Sequence, residues 1–327
     1  MSSWPSVMTL DVITRMAQER RRYAMNVNTV EAARRAIGPV GALLPVTFTE
    51  APSLHAQRDA VERLESAGYP CTWTNEVFGK DALVQLALLL AATRRMAFGT
   101  GVANVWVREP QTLAAAAGQL AQAHPGRFIL GIGVGYPQQA ETAGRGYGRP
   151  LHTMRDYQRR MGEATWPPVP AADYPRIIAA NGPKMLQLAA ETADGALPAG
   201  LPADYTAQAR RILGPDKLLV VGLSVVVDSD PDRARETARA TVAASLNSPA
   251  YAKTIVGLGH SAEADDRLVD AVVGHGRPDA VANLVRAHLE AGADHVSVMM
   301  PGGDFDGGVA GLEELAPTLM AIGAGGR

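Results

Sequence analysis

From residue 41 onward the chain alternates between short apolar runs closed by turn residues and longer stretches in which apolar positions recur every three or four. The short runs have the signature of buried strands, and the longer period is that of a helix with one face in a core. Eight strands are predicted: Gly41 to Val46, Cys71 to Glu76, Met96 to Val102, Arg127 to Val134, Arg176 to Ala180, Gly195 to Ala199, Leu218 to Val227 and His295 to Met300. Between them lie helical segments such as "AQRDAVERLESAG", "PQTLAAAAGQLAQAH" and "RPDAVANLVRAHLEAG", several opening at Asp or Pro and closing at Gly, as helix ends prefer. This alternation predicts parallel pairing through crossover helices, and eight such units predict an α/β fold of the closed (β/α)8 TIM-barrel type, with its active site at the carboxyl ends of the strands. An open doubly wound sheet is the alternative. Two segments are longer than a crossover requires, Gly135 to Gly148 after strand four and 247 to 276 after strand seven, and both are predicted as insertions, the first standing over the mouth. Gly162 to Tyr174 is a further irregular stretch.

Composition narrows the picture. At 327 residues, 47% of them hydrophobic, the chain can bury one large barrel core, assigned to residues 38–327. Residues 1–37 read as an N-terminal extension, arginine-rich and without the apolar core of a secretory signal. The net charge of -2, with no long basic run, argues against a nucleic-acid partner and for a small-molecule ligand. Cys71 is the only cysteine, which excludes an internal disulfide and suits a cytoplasmic protein; no stretch is apolar for long enough to span a membrane.

Candidate chemistry gathers at strand ends. In "RFILGIGVGYP" the spacing of Gly131, Gly133 and Gly135 does not fit a dinucleotide fingerprint; missing side chains inside a strand let a flat ligand, or another part of the barrel, approach the backbone. "ANGPKML" ends strand five at Asn181 and opens a helix at Gly182-Pro183, either as ordinary capping or as an anion site for a phosphate. Strand two ends in Thr74, Asn75 and Glu76 at the rim, where Glu76 reads as an acid–base group or as half of a rim salt bridge. Trp73 and Trp106 could stack on a planar ring or fill core. Of the histidines, His152 and His295 are candidate site groups, while His55, His124, His260, His275 and His288 fall in or beside helices and read as solvated. No ligand spacing for a metal and no G-x-S-x-G elbow occurs.

"RRMAFGTGVANVWVREPQTLAAAAGQLAQAHPGRFILGIGVG" and "RIIAANGPKMLQLAAETADGALPAG" resemble the bacterial luciferase-like family, in its branch that uses the deazaflavin coenzyme F420, over about Gly38 to Gly303. The resemblance implies the same barrel and explains why strand three breaks its pattern at "GTGVANVW": the strand bulges there, with a cis peptide bond without proline at Gly101-Val102, and pushes its backbone against one face of the ring. Carried over, Thr100, Gly101, Val102 and Ala103 would underlie the ring, Asn104 would reach its polar edge, and Val134, Gly135, Asn181, Gly182 and Pro183 would hold the phosphate-bearing tail. Where some dehydrogenases of the family carry an acidic residue followed by a catalytic histidine, this chain has Glu76 followed by Val77; where some relatives place a glutamate after strand four, it has Tyr136. Glu76 or Tyr136 is therefore the expected proton handler, and a homodimer is the expected assembly. The resemblance implies an F420-dependent oxidoreductase that exchanges a hydride with an organic substrate. An FMN-dependent monooxygenase and a noncatalytic flavin- or deazaflavin-binding protein are the alternatives.

Overall fold

Strand β1 (Val40–Leu43) pairs in parallel with β2 (Cys71–Thr74) on one side and with the last strand, β10 (His295–Met299), on the other, so the sheet closes on itself. Around the ring the order continues through β3 (Ala97–Thr100), β5 (Phe128–Gly133), β6 (Arg176–Ala179), β7 (Gly195–Leu197) and β8 (Leu218–Val227), which returns to β10. The result is the closed barrel of eight parallel strands expected from the alternation. This computed structural model describes residues 28–324.

Helices separate the strands as predicted: α2 (Leu54–Ser66), α3 (Ala82–Ala92), α4 (Pro110–Ala123), α6 (Pro150–Met161), α7 (Pro183–Thr192), α8 (Ala203–Leu213), α9 (Pro231–Leu246), α12 (Pro278–Glu290) and α13 (Phe305–Ala324). Their starts follow the local chemistry, with Ser53, Asp81 and Asp230 capping α2, α3 and α9 through side-chain oxygens and proline in the first turn of α4, α6, α7, α9 and α12. Strand residues alternate between two cores. Val40, Phe98, Leu130, Ile178, Leu219 and Val296 face the helices, whereas Cys71, Trp73, Ala97, Ile129, Ile177, Leu197 and Val220 fill the barrel interior.

The ten described residues of the predicted extension form helix α1 (28–37), whose Val30, Ala33 and Ile37 are buried in that interior cluster. Arg34 ties the helix to the Pro215 and Lys217 carbonyls and to Asp294, at the amino-terminal ends of β8 and β10. α1 thus plugs the barrel end opposite the mouth. The rest of the predicted extension, 1–27, lies outside the described residues.

Both segments predicted as insertions carry extra structure: α5 (Pro137–Thr142) after β5, and α10 (Pro249–Gly257), α11 (Asp266–Val272) and a short strand β9 (Val273–Gly276) after β8. β9 pairs with the outer half of β8 from Ser224 to Val227, overlapping the stretch that pairs with β10 only at Ser224. Three histidines differ from the sequence reading: His275, read as solvated, stands in β9 with its side chain largely buried and its Nε2 2.8 Å from the Asp270 carboxylate, and the other two lie deeper. His288 is fully buried between α8 and α12 and shares a 2.9 Å hydrogen bond with the Thr206 hydroxyl, while burial pushes its pKa down to about 4. His295 is likewise buried inside the barrel: its Nε2 accepts the Trp73 indole N–H at 2.9 Å, and its Nδ1 lies 2.7 Å from the Gly38 carbonyl. Burial pushes it too down to about 4. Trp73 and His295 are therefore core, with the Trp73 ring lying under Gly101, where an added Cβ would be 3.7 Å from it.

Candidate active site

The third strand does not run straight through. β3 ends at Thr100, and the chain resumes as β4 (Ala103–Asn104), which pairs with the outer part of β5 at Ile132 and Gly133. The peptide bond between Gly101 and Val102, inside the interruption, is cis and involves no proline.

A bulge opens the ladder between β3 and β5, and the side chain of Thr100 closes it. Its hydroxyl accepts the Gly131 amide at 2.8 Å and donates to the Gly131 carbonyl at 2.7 Å, taking the place of two backbone bonds. This explains the glycines of β5. A Cβ on Gly131 would lie 2.1 Å from the Thr100 carbonyl oxygen, and one on Gly133 would lie 2.5 Å from a Val102 methyl. The space left by the missing side chains is filled by the bulge. Gly135, at the strand's end, has φ of 53° and lies where a Cβ would collide with the Gln139 amide oxygen.

Glu76 holds the other side of the bulge. Its amide donates to the Val102 carbonyl at 3.1 Å, and its carboxylate accepts the Asn104 amide at 2.8 Å, the Ala82 amide at 3.3 Å and the guanidinium of Arg108. Arg108 also pairs with Asp81, 3.2 Å away. Burial raises the Glu76 pKa, against the lowering effect of these partners. Trp106 and Asn104 complete the frame: the indole donates to the Val134 carbonyl at 2.7 Å, and the Asn104 side chain accepts the Trp106 amide at 2.9 Å.

Above this frame lies a floor of small and apolar groups. Gly101 and Val102 are partly exposed at the carboxyl end of the barrel, as are Leu43, Ala179, Ala199 and Gly222. They are contiguous: Val102 and Ala179 both crowd Gly133, Gly101 sits against Leu43 and Leu197, and Gly222 abuts Ala199 and Leu197. Thr100, Ala103 and Asn104 are buried beneath the same surface. On one side of the rim stand Asn181, whose side chain bridges to the Ala199 amide and carbonyl at 2.9 and 3.1 Å, and the start of α7. Gly182 caps that helix with no side-chain cap and open space beside it, while Pro183 and Lys184 are exposed. The insertion after β8 reaches the same rim, since Tyr251 and Thr254 of α10 donate to the Gly200 and Asn181 carbonyls at 2.6 and 3.1 Å. Tyr136 is 59% exposed, next to Gly135. Burial and then the nearby Tyr136 phenol raise the pKa of Tyr147 and Tyr251, the latter to about 12.

The sequence reading passed over one cation. Lys80, in the loop after β2, places its amine 3.1 Å from the Asn75 side-chain oxygen, and burial pushes its pKa down to about 8. His152 is exposed on α6. No group of three or more metal-ligating side chains occurs among the described residues.

The luciferase-like monooxygenase family model matches residues 39–295, nearly the whole barrel and its mouth. The chain belongs to this family. Among curated relatives, a 5,10-methylenetetrahydromethanopterin reductase of Archaeoglobus fulgidus is 32% identical over 211 residues, a match that spans 56% of this chain and 64% of that relative's length. An F420-dependent glucose-6-phosphate dehydrogenase of Nakamurella multipartita is 26% identical over 74% of this chain and 83% of its own. Among solved structures, the coenzyme F420 dependent tetrahydromethanopterin reductase of Methanopyrus kandleri superposes with a TM-score of 0.68 at 19% identity, over 88% of this chain and all of that one. The luciferase-like family and the barrel of this chain thus agree with the sequence resemblance.

Proposed function

We propose that this luciferase-like barrel is an F420-dependent oxidoreductase that moves a hydride between the deazaflavin ring and an organic substrate. The observation that carries the proposal is the floor at the mouth, where Gly101, Val102, Ala179, Ala199 and Gly222 offer a broad, low, apolar surface on which a planar ring can lie. The named relatives that use F420 support the same choice over FMN. When bound, the deazaflavin supplies the two-electron chemistry, and the protein supplies position and electrostatics.

Thr100, Gly101, Val102 and Ala103 would form the bed of the ring, with Asn104 beside it. Val134, Gly135 and the uncapped start of α7 at Asn181, Gly182 and Pro183 would hold the tail, whose phosphate finds unpaired amides and the positive end of the helix dipole there. Lys184 adds a positive charge in the first turn. Glu76 serves this site through the backbone it holds: its oxygens are engaged by two amides and Arg108, so we assign it to fixing the bulge and not to moving protons. Tyr136 stays available at the rim as a donor. A second copy of the chain has a face to pack on. Val84, Ala87, Leu88 and Ala91 follow one another at helical spacing along the exposed side of α3.

The test is binding. Purified protein freed of small molecules should quench F420 fluorescence saturably at one equivalent per chain and bind FMN more weakly. Binding of FMN alone would replace this reading with the monooxygenase one.

A further inference from the structure

Past Thr74 the strand hydrogen bonding continues alongside the bulge, since the Gly101 amide donates to the Thr74 carbonyl at 2.7 Å and the Glu76 amide to the Val102 carbonyl at 3.1 Å. The chain is therefore extended through residue 76, and its side chains keep the period of two. Cys71 and Trp73 face the barrel interior; Thr74 bonds Gln85 of α3 at 2.6 Å, and Glu76 bonds the Ala82 amide at the start of the same helix. Between Thr74 and Glu76, Asn75 takes the side of the barrel axis, above Trp73. The loop then turns back, with Val77 and Lys80 forming an antiparallel bridge, and returns the Lys80 amine to the Asn75 side-chain oxygen at 3.1 Å.

We propose that Lys80, steered by Asn75, is the cationic contact of the mouth, and that it receives a negatively charged or carbonyl oxygen of the ligand held there. This rests on the reading of the mouth as a deazaflavin site. An ammonium has three donors, and Asn75 engages one of them. The nearby carboxylates of Glu76 and Asp81 are both committed to Arg108, and no ion pair to Lys80 exists among the described residues. Burial alone lowers its pKa, with no neighbouring charge contributing, so the group sits half out of water without a counter-charge. An oxygen with excess negative charge on the ring or the substrate restores what the loop has withheld. The same charge stabilises negative charge that builds up on that oxygen as the hydride moves. In this chain the loop after strand two thus offers a lysine, four residues beyond Glu76, where Val77 offers no polar group.

The ring itself reports on such a charge, because the hydroxyl of an 8-hydroxydeazaflavin ionises with a change in visible absorbance. Protein loaded with F420 is titrated with acid and base in three forms: unaltered, Lys80→Met and Lys80→Arg. A cation at the mouth favours the ionised ring, so Lys80→Met should raise the apparent pKa of the bound hydroxyl by roughly half a unit or more, and Lys80→Arg should stay near the unaltered protein. Asn75→Ala, which frees the amine from its tether, should give an intermediate shift. Superimposable curves for the unaltered protein and Lys80→Met, with F420 bound in both, would overturn the assignment of Lys80 and leave the cofactor reading intact. Failure of the unaltered protein to bind F420 would overturn both.

Discussion

The carboxylate of Glu76 and the backbone amide of Asn104 lie 2.8 Å apart, which fastens the end of the second strand to the far side of the bulge in the third. Glu76→Ala would leave that amide without its partner and Arg108 with only Asp81, a loss of about 3 kcal/mol if it follows other broken buried pairs. Urea unfolding should show this loss, and F420 affinity should fall at least tenfold because the bed of the ring is no longer held. Unchanged stability and unchanged affinity would remove Glu76 from the frame.

Thr100 fills the gap in the ladder with a hydroxyl that both donates to and accepts from Gly131. Thr100→Val keeps the shape and strands both groups of Gly131, at a cost of about 1–3 kcal/mol, while Thr100→Ser should remain close to the original. Denaturant titration of the pair distinguishes lost hydrogen bonding from lost volume. Equal destabilisation by both substitutions would assign the effect to packing.

His288 and His295 are buried with pKa pushed down to about 4, below the ordinary value of about 6.5 that the unfolded chain restores. Between those values the unfolded state binds more protons, so stability is full above about pH 6.5 and falls as the pH drops toward 4, by roughly 3 kcal/mol for each histidine. Melting temperatures across this window should therefore decline steeply. The double substitution His288→Leu with Thr206→Val removes one titrating group together with its partner, and should make the decline shallower. A slope unaffected by it would show that His288 is protonated in the fold.

The exposed stripe of Val84, Ala87, Leu88 and Ala91 on α3 makes the homodimer testable by a single charge. Sedimentation velocity should find a dimer for the unaltered chain and a monomer for Leu88→Glu. A dimer that survives the substitution would have to use another face.

The barrel was legible in the sequence because most of its eight strands are buried apolar runs closed by turn residues, so pattern and burial agree, with β2 ("CTWT") the most polar of them. β9 was not: "VGHG" has four residues, two of them glycine, and its pairing with the outer half of β8 depends on how far β8 extends, which no local pattern records. His288 read as solvated because a polar residue on a helix usually faces water; only the packing of α8 against α12 buries it. At the mouth, the residues of "GTGVANVW" show only that two glycines break an apolar strand, and the bulge itself came from the family resemblance. The orientation of Glu76 could not be read from either. It depends on whether the strand period continues for two residues beyond the strand, and that parity turns Glu76 toward α3 and Asn75 toward the axis. Lys80 was hidden for the same reason, as a charged residue in a loop usually points to water and only the Val77–Lys80 turn brings this one back.

The most direct test of the cofactor assignment is a fluorescence titration of the purified chain with F420, run in parallel with FMN. The floor at Gly101, Val102, Ala179, Ala199 and Gly222, together with the open start of α7, predicts saturable binding of one F420 per chain, weakened by salt as the tail phosphate is screened. Absence of saturable binding by either compound would contradict the account.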